Sequence, residues 1–224
     1  MNKYVERLGF PTSAYSFHDV MSTDDWALEM VPQPALAALL LFPIKEVTEK
    51  HRAEEAERIA RESQVVSDKL YYLKQTVGNA CGTVGLIHAC ANASTFAGGD
   101  VPVKEGSFFD KFLTRTLTMS ADERADALEE DDEIEAEHEA VAQEGVSEVV
   151  MGGRRTGLTN TLTHPHQDGS LFELDGRKAT PINHGPTSAA TFLADAVKVV
   201  KQFMERDAGE LRFGITALGP NLGE

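Results

Sequence analysis

The chain has 224 residues, 42% of them hydrophobic, and a formal net charge of −15. That is enough apolar chain for a single core-forming domain over 1–224. It is too acidic to neutralise phosphates, which argues against nucleic acid as a partner. No apolar run reaches a membrane span, and MNKYVERLGF lacks a secretory pattern. The expectation is a soluble monomer of the cytoplasm, or of cytoplasm and nucleus, with no membrane partner.

In chain order, residues 2–9 read as a short helix ending at Gly9, and TDDWALEM (23–30) as a second, with Thr23 as N-cap. ALAALLLF (35–42) is a continuous apolar run bounded by prolines, which favours a buried strand. KEVTEKHRAEEAERIARES (45–63) reads as a charged surface helix or an ordered loop, with Glu54–Arg58 and Glu57–Arg61 as favourable pairs. Residues 80–92 are apolar nearly all round and predict a buried helix. An amphipathic helix follows at 107–118, and Ser120 with Glu123 forms a capping box that starts another.

Thirteen acids and one base (Arg124) fall in residues 121–148, most of the excess charge. Residues 131–160 read as a flexible acidic and Gly-rich loop. Beyond it, SLFELDGRK (170–178) is strand-like with an Asp-Gly turn. Thr187 or Ser188 caps a helix whose stripe is Phe192, Ala196, Val199 and Phe203. LRFGITAL (211–218) alternates Leu211, Phe213, Ile215 and Ala217 on one strand face. The order of elements predicts an α+β fold with a mainly antiparallel sheet flanked by helices.

The chemistry-bearing stretch is QTVGNACGTVGLIHA, 75–89. The two cysteines, Cys81 and Cys90, would sit about 13 Å apart along one helix, beyond the roughly 7 Å a disulfide spans. With no CxxC, a zinc site is not expected, nor any cofactor. Cys81 falls at the predicted helix start, where the macrodipole favours a thiolate. Ala80 and Gly82 leave its sulfur unshielded, so a substrate backbone can approach. Gln75 offers a side-chain N–H which, with the Cys81 backbone N–H, suits an oxyanion. The competing reading makes Cys81 a small buried hydrophobe.

KQTVGNACGTVGLIHA (74–89) resembles the nucleophile motif of the ubiquitin C-terminal hydrolases, papain-like thiol hydrolases, and most closely their L3-type isozymes. LLLFPI (39–44), LTMSADERA (117–125), FELDGRK (172–178), PINHG (181–185) and FMERDAGELRF (203–213) resemble further segments of that family, in the same order. The resemblance implies a deubiquitinating hydrolase that releases small adducts or peptides from the C-terminal glycine of ubiquitin or a close ubiquitin-like protein. It implies a papain-like fold with a crossover loop over the active site, supplied here by 140–158. It places the nucleophile on Cys81, the oxyanion-hole glutamine on Gln75 and the base-orienting aspartate on Asp175, which the residues alone read as a turn.

The family's general-base histidine falls on Asn160 of GLTNTLTHPHQDG. His164 and His166 are the nearest imidazoles, His166 matches a non-catalytic position, and the base stays unassigned. The alternative to an active hydrolase is a ubiquitin-binding pseudoenzyme with the cleft but no base. His88, two turns into the buried helix, reads as a satisfied core residue. His184, in a Pro/Gly loop, reads as bonding backbone.

Overall fold

The computed structural model describes residues 1–76, 80–134, 158–163 and 169–223. Its elements are α1 (Asn2–Arg7), β1 (Tyr15–Asp19), α2 (Asp25–Glu29), β2 (Ala37–Phe42), α3 (Glu46–Arg61), α4 (Cys81–Ala93), α5 (Phe108–Thr116), α6 (Ala121–Glu129), β3 (Leu158–Thr163), β4 (Ser170–Leu174), β5 (Ile182–Pro186), α7 (Phe192–Arg206) and β6 (Gly214–Pro220). The six strands form one sheet in the order β1-β6-β2-β3-β4-β5, and every neighbouring pair is antiparallel. This is the α+β architecture that the order of elements predicts.

The apolar run of β2 is explained by its central place. It pairs with β6 on one side and β3 on the other, and its side chains alternate between two cores. Ala37 and Leu39 join the core built on α4 and α5, and Ala38, Leu40 and Phe42 the core built on α7. The predicted stripe Phe192, Ala196, Val199 and Phe203 is buried in the second core. Ser120 and Glu123 form the expected capping box, and Ser107 caps α5 through the Asp110 amide.

Several local expectations shift. The N-cap of α2 is Asp24, whose carboxylate accepts from the Ser22 hydroxyl at 2.8 Å. On α3, Arg58 lies between Glu55 and Glu62 instead of pairing with Glu54, which meets Lys50. Leu211 is 90% exposed, because Glu210 Oε1 accepts from the Leu211 and Arg212 amides and delays the strand to Gly214. Leu158–Asn160, read as the end of a loop, open β3. The remainder of the expected loop lies largely outside the described residues. No helix among the described residues is long and apolar enough to cross a membrane.

One ionic cluster ties α3 to the end of the sheet. Glu173 on β4 is fully buried; its two oxygens meet Lys178 Nζ at 2.5 Å and His184 Nε2 at 2.9 Å. Lys178 also pairs with Glu55 of α3. His184 thus bonds a carboxylate and not the backbone. Burial alone would raise the Glu173 pKa, but Lys178 and His184 hold it at about 2. Its unfolded value is near 4.5, so its ionised form stabilises the fold fully above that pH. The stabilisation is lost as pH falls from 4.5 toward 2. Glu173→Gln is expected to lower unfolding free energy at neutral pH by roughly 3 kcal/mol. In chemical denaturation the gap to the parent protein should narrow as pH is taken through that acid window.

Candidate active site

Residues 71–76 form neither helix nor strand and belong to none of the six strands among the described residues. Their backbone groups therefore need other partners, and these come from three directions. From α4, Asn92 Oδ1 accepts from the Tyr71 amide and Asn92 Nδ2 donates to the Tyr71 carbonyl, both at 2.8 Å. One turn earlier on α4, His88 Nε2 lies 3.2 Å from the Leu73 nitrogen and 3.1 Å from its oxygen. From α6, Arg124 donates to the Tyr72 carbonyl at 2.8 Å, and the Lys74 amide donates to the Ala121 carbonyl at 3.1 Å. From the turn after β4, the Gly176 carbonyl accepts the Gln75 amide at 2.8 Å.

That last contact is close enough to dictate the residue at 176. A Cβ there would stand 2.9 Å from the Gln75 Cβ and 3.0 Å from both the Gln75 nitrogen and Val84 Cγ1. Only glycine lets the turn backbone lie against Gln75 and the first turns of α4. The Tyr72 hydroxyl reinforces the junction, reaching the carbonyls of Asp175 at 2.9 Å and Lys178 at 2.6 Å.

Cys81 is the first residue of α4. Its N-cap, Ala80, has no side chain that can cap it, and no acid occupies its first turn, so the positive end of the macrodipole falls at the cysteine. The residue is 7% exposed, less open than its small neighbours suggest. Gly82 beside it borders a groove of about 330 Å³ lined by Leu39, Leu41, Leu86, Phe213 and Ile215. Cys90 is fully buried, and burial pushes its thiol well above the ordinary range. No disulfide joins Cys81 and Cys90, as the helix spacing predicts.

Asp175 is buried at the end of β4, where its Oδ1 accepts from the Arg177 amide at 2.9 Å. Burial raises its pKa, against the opposing pull of Lys178 and the Arg177 amide. The sheet register pairs Thr161 with Leu174. One step further places Asn160 across from Asp175, and both border one small cavity with Lys178 and Arg206. Asn160 is buried and donates to Glu173 Oε1 at 2.9 Å, while its own Oδ1 has no partner among the described residues. His164 and His166 lie outside the described residues. Thr161 bonds the Gly85 carbonyl of α4 at 2.9 Å, which seats β3 against the helix that begins at Cys81.

The structure thus brings Gln75, the helix start at Cys81 and the Asp175 turn into one neighbourhood. It adds residues that the sequence reading did not single out for the site: Tyr72, Asn92, Arg124 and Glu173. Their one sequence signal is buried-type polarity inside apolar runs, as in YYLKQ and FELDG. Among the described residues, no group of three or more His, Cys, Asp or Glu side chains is placed to hold a metal ion.

A cysteine at an uncapped helix start, with a glutamine segment fixed beside it, has the layout of a thiol hydrolase. A family profile described as "Ubiquitin carboxyl-terminal hydrolase, family 1" matches residues 1–205, and the chain belongs to that family. A ubiquitin carboxyl-terminal hydrolase of Drosophila melanogaster is 43% identical over 218 residues, covering 97% of this chain and 92% of the relative. The isozyme L1 of Homo sapiens is 42% identical, covering 97% and 93%. The fold is similar to the Trichinella spiralis UCH37 catalytic domain, solved bound to ubiquitin vinyl methyl ester. There the TM-score is 0.74 at 17% identity, with 98% of this chain and 91% of that one covered.

The unequal settings of the two thiols make a direct prediction. Native-state alkylation with iodoacetamide should add one carbamidomethyl group, mapped by mass spectrometry to Cys81. Cys90 should react only after denaturation, and its modification in the folded protein would contradict the burial described.

Proposed function

We propose that the protein is a deubiquitinating cysteine hydrolase that cleaves small adducts or peptides from the C-terminal glycine of ubiquitin or a close ubiquitin-like protein. The observation that carries this reading is Cys81 as the first residue of α4, with the Gln75 segment bonded both to that helix and to the Asp175 turn. Family membership and the relatives' names support the substrate class. The apolar groove next to Gly82 suits an extended tail led toward the sulfur. Cytoplasmic action as a monomer, in the ubiquitin conjugation pathway, completes the proposal.

In this mechanism the Cys81 thiolate attacks the carbonyl carbon of the terminal glycine. The carbonyl π electrons move to oxygen, and the oxyanion is held by the Gln75 side-chain N–H and the Cys81 backbone N–H. Collapse breaks the C–N bond, and the amine leaves with a proton from the general acid. Water then hydrolyses the thioester and frees the sulfur. Asp175 orients the base. The base itself is unassigned, because the position that the family gives to histidine holds Asn160, which cannot exchange the proton.

That substitution favours one second reading, a pseudoenzyme that binds ubiquitin without turning it over. A fluorogenic ubiquitin C-terminal amide separates the two. The hydrolase reading expects turnover that Cys81→Ala abolishes and that Gln75→Ala lowers by about 10²–10³ in kcat. Micromolar or tighter binding without any Cys81-dependent turnover would favour the pseudoenzyme. Asn160→His places an imidazole across from Asp175, and kcat should rise by about 10²–10⁴. An unchanged rate would show that another group already serves as base.

A further inference from the structure

We propose that His88 is a positioning residue for this hydrolysis, locking the strandless segment 71–75 to α4 and so fixing where Gln75 stands relative to Cys81. The proposal rests on the oxyanion reading of Gln75 given above, and assigns His88 more than a place in the core.

The geometry is that of a surrogate strand. An extended segment normally satisfies its alternate residues from a neighbouring strand. Here residues 71 and 73 turn their N–H and C=O groups toward α4, and the helix answers with two side chains four residues apart on one face. Asn92 supplies one donor and one acceptor to Tyr71, as a peptide group would. His88 Nε2 serves Leu73, as donor or acceptor according to tautomer. Burial depresses the His88 pKa to about 4, so the ring is neutral throughout the range in which a thiolate forms.

His88 has a second contact. Its ring stacks on Tyr72, with centroids 5.3 Å apart and planes 21° from parallel. Tyr72 in turn reaches the carbonyls of Asp175 and Lys178. One imidazole therefore sets both the distance of the segment from the nucleophile helix and its attachment to the aspartate turn. Gln75 is two residues beyond Leu73, and a displacement near 1 Å in a reacting group costs on the order of 10² in rate.

The test is a double-mutant cycle on the fluorogenic ubiquitin amide, with His88→Phe as the first variant, since it keeps a stacking ring and removes both nitrogens. The expected result is a kcat loss of about 10–10² with KM within about threefold, and iodoacetamide alkylation of Cys81 within about twofold of the parent. In a Gln75→Ala background, His88→Phe should cause little further loss, because the donor it positions is gone. His88→Gln, which keeps a hydrogen-bonding group, should recover part of kcat. Were His88→Phe unable to fold, His88→Gln, which loses the stacking ring, carries the same cycle with a smaller expected loss and the same coupling to Gln75→Ala. Equal losses with and without Gln75, an unchanged kcat, or a parallel fall in alkylation would overturn the proposal. A Gln75→Ala variant that keeps full kcat would instead overturn the oxyanion reading.

Discussion

The contact between the Gln75 amide and the Gly176 carbonyl is the constraint on which the rest of the site depends. It joins two parts of the chain about a hundred residues apart in sequence. The glycine cannot be replaced without pushing Gln75 or Val84 away. Around it lie the helix that begins at Cys81, the segment 71–76, which belongs to none of the strands described, and the turn at the end of β4. The segment is hydrogen-bonded to both of the others, and the turn lies against the helix at Gly176 and Val84. Loss of register at any one would move Gln75 against the sulfur, where geometry at the ångström scale governs rate.

The same neighbourhood carries costly burial. Glu173, Lys178 and Glu55 lie almost wholly out of water, and Asn160 leaves an oxygen unpaired. Replacing such a cluster by apolar side chains is often neutral or stabilising. Its physical return here is orientation: Lys178 and Glu173 fix the two ends of the turn that presents Asp175 and Gly176. Stability is traded for a rigid turn at the site, a common pattern where chemistry requires preorganisation.

Features set by local chemistry were legible in the sequence. The charged helix of α3, the Ser120–Glu123 box, the buried run of β2 and the stripe of α7 all follow from propensity, capping and periodicity within one segment. That a cysteine stands at a helix start was legible from the small residues that flank it, and the turn at Asp175 from its Asp-Gly pair. Strands β1 and β3 were not. Tyr15 pairs with Pro220, and LTNTLT is buried only because β2 and β4 enclose it. Of that stretch, Asn160–Thr163 are the residues seen to be buried; read alone, it is polar and resembles a loop. The clamp of His88 and Asn92 was hidden for the same reason. Both lie on an apolar helix as apparent core residues, and their work is visible only once residues 71–73 run alongside. His184 was misread because its partner, Glu173, is an acid whose burial the alternation of β4 does not reveal.

We propose the sulfur of Cys81 as the attacking atom, reached by the glycine end of a ubiquitin tail. Incubation with a ubiquitin whose C-terminus carries a vinyl methyl ester, followed by peptide mapping, tests it most directly. The account predicts one covalent ubiquitin per chain, attached at Cys81 and blocked by prior alkylation of that residue. No adduct from a folded protein, or an adduct at Cys90, would contradict it.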